Sequence, residues 1–351
     1  MPECAKNTPA WGNMTMMVQT RWIAALLAVI TVAMGTSREA LAADPILIKF
    51  SHVVASDAPK GRGAAKFKEL AEQYTDGRVK VEIYPNSQLY KDKEEIEALQ
   101  LGAVQMLAPS LAKFGPLGAK EFEVYDLPYL LPDITAVHTV FDGPIGRKLL
   151  ASLSAKGITG LSYWDNGFRI FTANRPLRQP ADFFGLKMRI QSSKVLDAQM
   201  RALGGVPQVM AFSEVYQGLQ TGVVDGSEGD RTNAYTAKLF EVQKYMTLSD
   251  HGYLGYAVIA NKAFWDGLPP DIAGSLERAV VEATAYVRQI SHDLEVEAEA
   301  AMKASGKTEL ITLTREQRSS WVAALAPVYA QVEARVGKAL IEEVRAAVKA
   351  P

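Results

Sequence analysis

The chain contains a single cysteine, Cys4, among its 351 residues, and this cysteine precedes the apolar segment near the N-terminus. A disulfide within the chain is therefore excluded, and the fold has to be held by its buried core. Because Cys4 does not follow the apolar segment, it is not placed as a lipid-carrying cysteine would be. The chain is 48% hydrophobic and 22% charged, which is typical of a soluble globular protein, and its length favours two domains.

The sequence also lacks an excess of either charge. Its 38 Lys and Arg residues face 39 Asp and Glu residues, which gives a formal net charge of -1. A balanced charge provides no general attraction to nucleic acid or to an anionic membrane surface. We therefore predict no nucleic-acid partner, and we expect recognition of a charged ligand to depend on local groups.

No apolar segment near the N-terminus is long enough to span a membrane comfortably. Residues 22–34 (WIAALLAVITVAM) follow Arg21, and Ala40–Ala42 (ALA) match the small-x-small pattern of a cleavage site. We predict a signal peptide over residues 1–42, a mature chain that starts near Ala43, and export to a bacterial periplasm. An uncleaved anchor is the alternative.

Short apolar segments then alternate with segments of helical period. The strands expected at ILIKFS, VKVEIYP and ITGLSYW are separated by helices, which predicts a mostly parallel sheet covered on both sides. The pattern restarts with RIFTAN as a separate strand. We predict an α/β fold of two lobes, with residues 43–165 and about 250–290 in lobe I and residues 166–249 and about 291–351 in lobe II.

The C-terminal quarter has a helical period. Apolar residues recur at steps of three and four from Pro270 to about Ser305, which predicts one helix that spans both lobes. Two helices with a break between them are the alternative. A further helix is expected to begin at Thr314, which forms a capping-box pattern with Gln317.

Two arginines are candidates for anion binding. Arg189 (LKMRIQSS) ends a predicted strand that leads into a helix, where ligands of α/β sheets bind and where a guanidinium fits a carboxylate. A structural salt bridge or a solvated strand end is the alternative. Arg169 (WDNGFRIF) repeats the situation between the lobes, and its pairing with Asp165 or Asp182 is the alternative.

One glycine-containing segment imitates a nucleotide site. KGRGAAK has Lys66 where a dinucleotide-binding loop needs its third glycine, so we predict no nucleotide cofactor. Lys60, beside the N-terminus of the expected helix, remains a candidate for attracting an anion.

No pattern in the chain is typical of catalysis or of a metal site. DGSEG lacks the glycine that precedes the serine of a nucleophile elbow by two positions, and the four histidines have no zinc-ligand spacing. Glu94 and Glu95 are expected on a solvated helix face rather than as an acid/base pair. We predict no catalytic residue, no metal and no cofactor.

Four segments together resemble the extracytoplasmic solute-binding proteins of tripartite ATP-independent periplasmic (TRAP) transporters, in particular those that bind four-carbon dicarboxylates. They are YPNSQLYKDKEEIEALQLGAVQM, LKMRIQSS, AFSEVYQGLQTGVVDGSE and HGYLGYAVIANKAFWDGLP. The resemblance covers nearly the whole chain after Ala43. It implies a two-lobed periplasmic solute-binding fold with C-terminal helices, a small organic-acid ligand and a TRAP permease as partner, and we expect a monomer.

The resemblance also implies site residues. In the family the arginine of the GLKMR strand binds the ligand carboxylate, and here it is Arg189. By the same matching, Arg169 takes a second anionic or polar group and Phe212 lies beside the ligand. The weaker matches are Lys60, Ser110, Gln191 and Ser192.

The sequence departs from the family after the VDG turn. The usual ENP is replaced here by Glu228, Gly229 and Asp230, so the asparagine amide that often contacts the ligand is replaced by Gly229. Asp230 either repels an anion or pairs with Arg231.

These features together predict a receptor rather than an enzyme. We expect it to bind a C4-dicarboxylate such as succinate, malate or fumarate by arginine–carboxylate pairing and to close around it. The alternatives are a receptor for a sugar acid or an aromatic acid, a secreted enzyme that acts on organic acids, and a receptor that reports to a sensor.

Overall fold

The computed structural model describes Pro2 and residues 44–349, so the predicted signal peptide lies outside the described residues except for Pro2. The described strands form one mixed sheet. They are β1 (Ile46–Ser51), β2 (Val79–Tyr84), β3 (Met106–Leu107), β4 (Ile158–Ala173), β5 (Lys187–Ile190), β6 (Val206–Val209), β7 (Gly226–Asp230), β8 (Tyr245–Leu248), β9 (Tyr253–Asn261) and β10 (Glu309–Thr312).

Helices cover the sheet. The α-helices are α1 (Pro59–Tyr74), α2 (Glu95–Gln100), α3 (Ile134–Asp142), α4 (Pro144–Ser152), α5 (Lys194–Ala202), α6 (Phe212–Gln220), α7 (Arg231–Thr236), α8 (Lys262–Asp266), α9 (Pro270–Ser305), α10 (Arg315–Val336) and α11 (Lys338–Lys349). Short 3-10 helices lie at Leu111–Lys113, Lys120–Asp126, Leu153–Lys156, Pro180–Phe183 and Leu239–Glu241.

The strand order is β2-β1-β3-β9-β4-β7-β5-β6, and β8 pairs with both β4 and β10. We use lobe I for β1, β2, β3, β9 and the first part of β4, and lobe II for β5 to β8, β10 and the last part of β4. The outer pairs are parallel, but β4 runs antiparallel to β9, β7 and β8. The prediction of a mostly parallel sheet is therefore wrong at its centre, because β4 takes the chain into lobe II and β9 brings it back.

A single strand connects the two lobes. The sequence predicted separate strands at ITGLSYW and RIFTAN, but β4 continues through both and pairs with β9 up to Phe168 and with β7 from Arg169. The register shifts between Trp164 and Gly167, so a bulge accommodates the turn-like residues between them. The prediction of two strands is wrong for this reason.

The two faces of β4 enter different cores. Tyr163 and Phe171 pack into a large core that also contains Trp321 of α10, whereas Trp164 and Ile170 enter smaller cores in lobe I and lobe II. Helices thus lie on both faces of the sheet, and the predicted two-lobed α/β fold is confirmed.

The long helix is also confirmed. Residues Pro270–Ser305 form one helix, α9, which packs against α1 of lobe I and α7 of lobe II, so the two-helix alternative is wrong. The capping box is present, since Gln317 N donates to the Thr314 hydroxyl at 3.2 Å. Helix α10 packs on α5 and α11 packs on α3, while the predicted lobe boundaries stay predictions. Within residues 44–349 no helix has the length and hydropathy that a membrane crossing requires.

Candidate functional site

A cavity between the lobes gathers most of the predicted site residues. Lobe I contributes Val53, Val54, Lys60, Asp92, Ser110, Lys113, Leu254 and Tyr256, and lobe II contributes Arg189, Gln191, Phe212, Gly229, Asp230 and Asn233. The cavity volume is about 20 Å³, which is room for a water molecule rather than for an organic acid. The lobes therefore have to part before a larger molecule enters.

Arg189 reaches this cavity from the end of β5 and is 2% exposed. Its Nε donates to the carbonyl of Met210 at 3.1 Å and its Nη1 to the carbonyl of Glu228 at 3.4 Å, and no carboxylate of residues 44–349 forms an ion pair with it. Burial lowers the pKa of Arg189, although Asp92 and Glu228 act in the opposite direction. The guanidinium is thus neither solvated nor held in a structural salt bridge, and it lines the cavity.

Arg169 is placed differently. Its Nη2 lies 2.7 Å from a carboxylate oxygen of Asp126, its Nη1 contacts Glu228, and the side chain is 1% exposed. Although burial disfavours the charge, Glu228 and Asp126 raise the pKa of Arg169. The pairing with Asp165 or Asp182 is wrong, and the residues that line the cavity do not include Arg169. Its predicted contact with a ligand has no support from this placement.

Lys60 supplies a second cation to the cavity. It follows Pro59 at the start of α1, is fully buried, and donates from Nζ to the carbonyl of Ala108 at 3.0 Å. Its Nζ also lies 4.0 Å from the centroid of the Tyr256 ring, a cation–π contact. Burial lowers the pKa of Lys60 to about 7, and Lys113 acts in the same direction. The amine is therefore poised to gain charge when an anion approaches.

A buried ionic cluster beside Lys60 was missed from the sequence. Lys113 Nζ lies 2.8 Å from Glu95 and in contact with Asp92, and the side chains of Lys113 and Glu95 are 4% and 1% exposed. The prediction of a solvated face is thus wrong for Glu95, whereas Glu94 is exposed. The available signal was Lys113 itself, a cation within the apolar segment SLAKF.

Several contacts join the lobes around the cavity. The Ser110 hydroxyl donates to the Gln191 side chain at 2.7 Å, and Phe212 packs against Val53 and Val54. The Arg189 guanidinium lies 5.8 Å from the centroid of the Phe212 ring. Ser192 is half-buried in a small adjoining pocket that Arg189 also lines. The structure thus brings Arg189, Lys60, Phe212, Ser110 and Gln191 together.

Gly229 lies on β7 in the cavity wall, and a Cβ added to it would meet no atom within 4 Å. Asp230 caps α7, accepting hydrogen bonds from the backbone and side-chain amides of Asn233 at 2.9 and 2.6 Å, and burial raises its pKa. Of the two alternatives for Asp230, the pairing with Arg231 is wrong, because Arg231 binds Asp250 at 2.9 Å instead. Asn233 was missed, and it brings an amide into the cavity that Gly229 cannot provide.

A larger groove, of about 440 Å³, lies elsewhere along the middle of β4 and α9. Its two arginines are already paired with carboxylates, Arg231 with Asp250 and Glu295 and Arg288 with Asp142. Arg189, Lys60 and Phe212 do not line it. The chemistry of the side chains therefore assigns the candidate site to the smaller cavity between the lobes.

Comparisons with known proteins identify the family and the fold of this chain. The family model of bacterial extracellular solute-binding proteins, family 7, matches residues 50–335. Over 331 residues the chain is 60% identical to the C4-dicarboxylate-binding periplasmic protein DctP of Rhodobacter capsulatus, with 94% of this chain and 99% of that protein covered.

Solved structures of solute-binding proteins match the fold of this chain. A TRAP periplasmic solute-binding protein from Shewanella oneidensis, crystallised with bound succinate, matches with a TM-score of 0.85 and 44% identity and covers 87% of this chain and 99% of its own. The sugar-acid-binding protein DctPAm from Advenella mimigardefordensis, in complex with galactonate, matches with a TM-score of 0.85 and 33% identity over 87% and 98% of the two chains.

Proposed function

This chain belongs to the bacterial extracellular solute-binding proteins of family 7, and we propose that it is a receptor for a C4-dicarboxylate such as succinate, malate or fumarate. The resemblance to TRAP solute-binding proteins is confirmed, and the family consists of receptors for small organic acids that work with TRAP permeases. In this proposal the chain is exported by its signal peptide, acts as a monomer in the periplasm and delivers its ligand to a TRAP permease.

The observation that carries the proposal is the buried charge of Arg189, for which residues 44–349 provide no ion pair. A buried cation is costly without a counter-ion, and a carboxylate would offset that cost with two charge-assisted hydrogen bonds. Lys60 lines the same cavity from the opposite lobe and forms no ion pair within residues 44–349. A dicarboxylate would pair its two ends with these two groups, whereas a monocarboxylate would leave one of them uncompensated.

Binding and closure follow from the position of these groups. Arg189 and Phe212 belong to lobe II and Lys60 and Ser110 to lobe I, so a ligand completes its contacts only when the lobes meet. The ligand then shifts the population from open to closed by its better affinity for the closed state. A dissociation constant near the micromolar range, about -8 kcal/mol, is ordinary for such a site.

A sugar acid is the second candidate ligand. The Advenella protein that matches this fold is in complex with galactonate. The open space at Gly229 leaves room in the cavity wall for a bulkier ligand once the lobes part. Because a sugar acid carries one carboxylate, it would engage Arg189 and leave Lys60 to contact hydroxyl groups.

A thermal-shift panel of organic acids, followed by calorimetric titration, tests the proposal. We expect succinate, malate or fumarate to stabilise the protein by about 2.7 kcal/mol at a hundredfold excess over the dissociation constant. Galactonate represents the sugar acids and benzoate the aromatic acids. A larger increase in melting temperature with either of them than with the C4-dicarboxylates would contradict the proposed ligand class.

The matched variant for this panel is Arg189→Lys. It keeps the charge but loses the planar fork, so we expect most of the ligand-dependent shift to disappear. Conversion of succinate, malate or fumarate by the purified protein would contradict a receptor without enzymatic activity.

A further inference from the structure

Helix α6 of lobe II begins without a capping side chain of its own. Its N-cap residue is Ala211, which has no side-chain acceptor for the free amides of the first turn, although its backbone carbonyl accepts from Glu214 N at 3.0 Å. The first of these amides, Phe212 N, donates instead to the carboxylate of Asp92. Asp92 lies between β2 and α2 in lobe I, so a residue of one lobe caps a helix of the other.

Asp92 is held in place within its own lobe. Its second carboxylate oxygen contacts Lys113 Nζ, and Glu95 fixes this amine from the other side at 2.8 Å. Although burial favours the protonated form, Lys113 and Arg189 hold the pKa of Asp92 at about 2. The group is thus an ionised acceptor at any physiological pH, and a carboxylate at a helix N-terminus is favoured by the helix dipole.

We propose that Asp92 is a closure latch, a lobe I carboxylate that stabilises the closed state by capping α6, with Lys113 and Glu95 as its positioning residues. This inference rests on the proposed function, since a latch requires lobes that part and close. The latch sets how much of the receptor is closed before ligand arrives. Because only the closed fraction completes the ligand contacts, the apparent affinity changes with it.

A neighbouring contact provides a matched control. Lys91, one residue before Asp92, pairs with Glu214 of the same helix α6 at 2.7 Å. Both of these side chains are about half exposed, at 50% and 49%, so water and salt screen the pair. The Asp92 side chain is only 11% exposed. The two contacts therefore join the same elements and differ in burial.

The test measures lobe separation directly. The only cysteine of the sequence is Cys4, which precedes the predicted mature start near Ala43, so the mature chain can be labelled selectively at Glu69→Cys on α1 and Gln220→Cys on α6. Double electron–electron resonance then gives the distance between the two spin labels, one on each lobe, without ligand and with saturating succinate. We compare Asp92→Ala, Asp92→Asn and the control Glu214→Gln, and we measure the dissociation constant of succinate for each.

We expect Asp92→Ala to lengthen the distances without ligand and to weaken succinate binding about tenfold. Asp92→Asn keeps an acceptor without its charge, so we expect an intermediate effect, and this variant decides the question if Asp92→Ala does not fold. Glu214→Gln should change neither quantity by more than about twofold.

If the distances without ligand are unchanged in both Asp92 variants, Asp92 is not a latch. Tighter succinate binding in these variants would also overturn the proposal, because it would show that Asp92 repels the ligand. Failure of the proposed function would look different. In that case succinate would not shorten the distances in the unsubstituted protein, while the distances without ligand would still report on Asp92.

Discussion

Arg169 and Arg189 are both buried arginines, but they differ in what compensates their charge. Arg169 lies between Asp126 and Glu228, so Arg169→Ala would leave two buried carboxylates without a counter-ion. We expect this variant to lose about 3–5 kcal/mol of unfolding free energy, measured by urea denaturation. Arg189→Ala removes a cation that forms no ion pair within residues 44–349 and whose burial is itself unfavourable, which offsets the loss of its longer-range attraction to Asp92, so the stability without ligand should stay nearly unchanged. A comparable loss in both variants would make Arg189 a structural residue.

The lowered pKa of Lys60 leads us to expect that ligand binding depends on pH. In the closed state without ligand, burial lowers the pKa of Lys60 to about 7, so the amine loses its charge as the pH rises above about 7, whereas a bound carboxylate favours the protonated amine. Binding above that pH therefore takes up a proton, and the affinity for succinate should fall from pH 6.5 to pH 8.5 by up to about tenfold per unit.

Calorimetry in two buffers of different ionisation enthalpy measures this proton uptake. Lys60→Arg, which stays charged over the same range, serves as the control and should show little pH dependence. An affinity of the unsubstituted protein that does not change with pH would contradict a contact between Lys60 and the ligand.

The residues of the cavity and of the ionic cluster beside it differ in how clearly the sequence indicates them. Arg189 could be proposed as a ligand residue because it ends a predicted strand that leads into a helix, and because LKMRIQSS resembles the family segment whose arginine binds the ligand carboxylate. The burial of Asp92 and Glu95 could not be predicted, because they lie in the charged segment KDKEEIE, which has the composition of a solvated helix face. Their burial is explained by the ion pairs with Lys113, and those contacts depend on the tertiary fold.

At the scale of elements, Gly63 of KGRGAAK lies in a helix–helix contact, whereas Gly61 lies against the backbone of the loop at Ala55 and Ser56. A Cβ on Gly63 would lie 2.4 Å from the Val287 side chain, where α1 crosses α9. We expect Gly63→Ala to destabilise the protein by about 1–3 kcal/mol through overpacking.

Gly274 in α9 is the matched control, since a Cβ there would meet no atom within 4 Å. Gly274→Ala should raise the unfolding free energy by up to about 1 kcal/mol, because alanine is the better helix former. Thermal unfolding of both variants checks the pair, and equal effects would contradict a packing role for Gly63.

Periodicity predicted most elements well and failed where tertiary pairing overrides local chemistry. The helix α9 was evident because its apolar stripe continues without a break from Ile272 to Leu294. The continuity of β4 was not, since Asp165, Asn166 and Gly167 are residues typical of a turn. Pairing with β9 on one side and β7 on the other keeps them in the strand.

At the scale of the whole molecule, the proposed ligand should change the shape of the receptor. The closed cavity of about 20 Å³ cannot admit a dicarboxylate, so the free protein has to populate an open state. We expect succinate to reduce the radius of gyration measured by small-angle X-ray scattering. Arg189→Ala should show no such change, and an equal radius with and without succinate in the unsubstituted protein would exclude hinge closure.

The strand shared by both lobes has a consequence for how the chain can be divided. Strand β4 pairs with β9 before Arg169 and with β7 from Arg169 onward. A cut near Asn166 would therefore divide β4, and each fragment would keep only one part of this central strand. We therefore expect that neither half folds on its own. In a split reporter built from this protein, we therefore expect structure to form only when the two fragments associate and restore the pairing of β4 with β9 and β7.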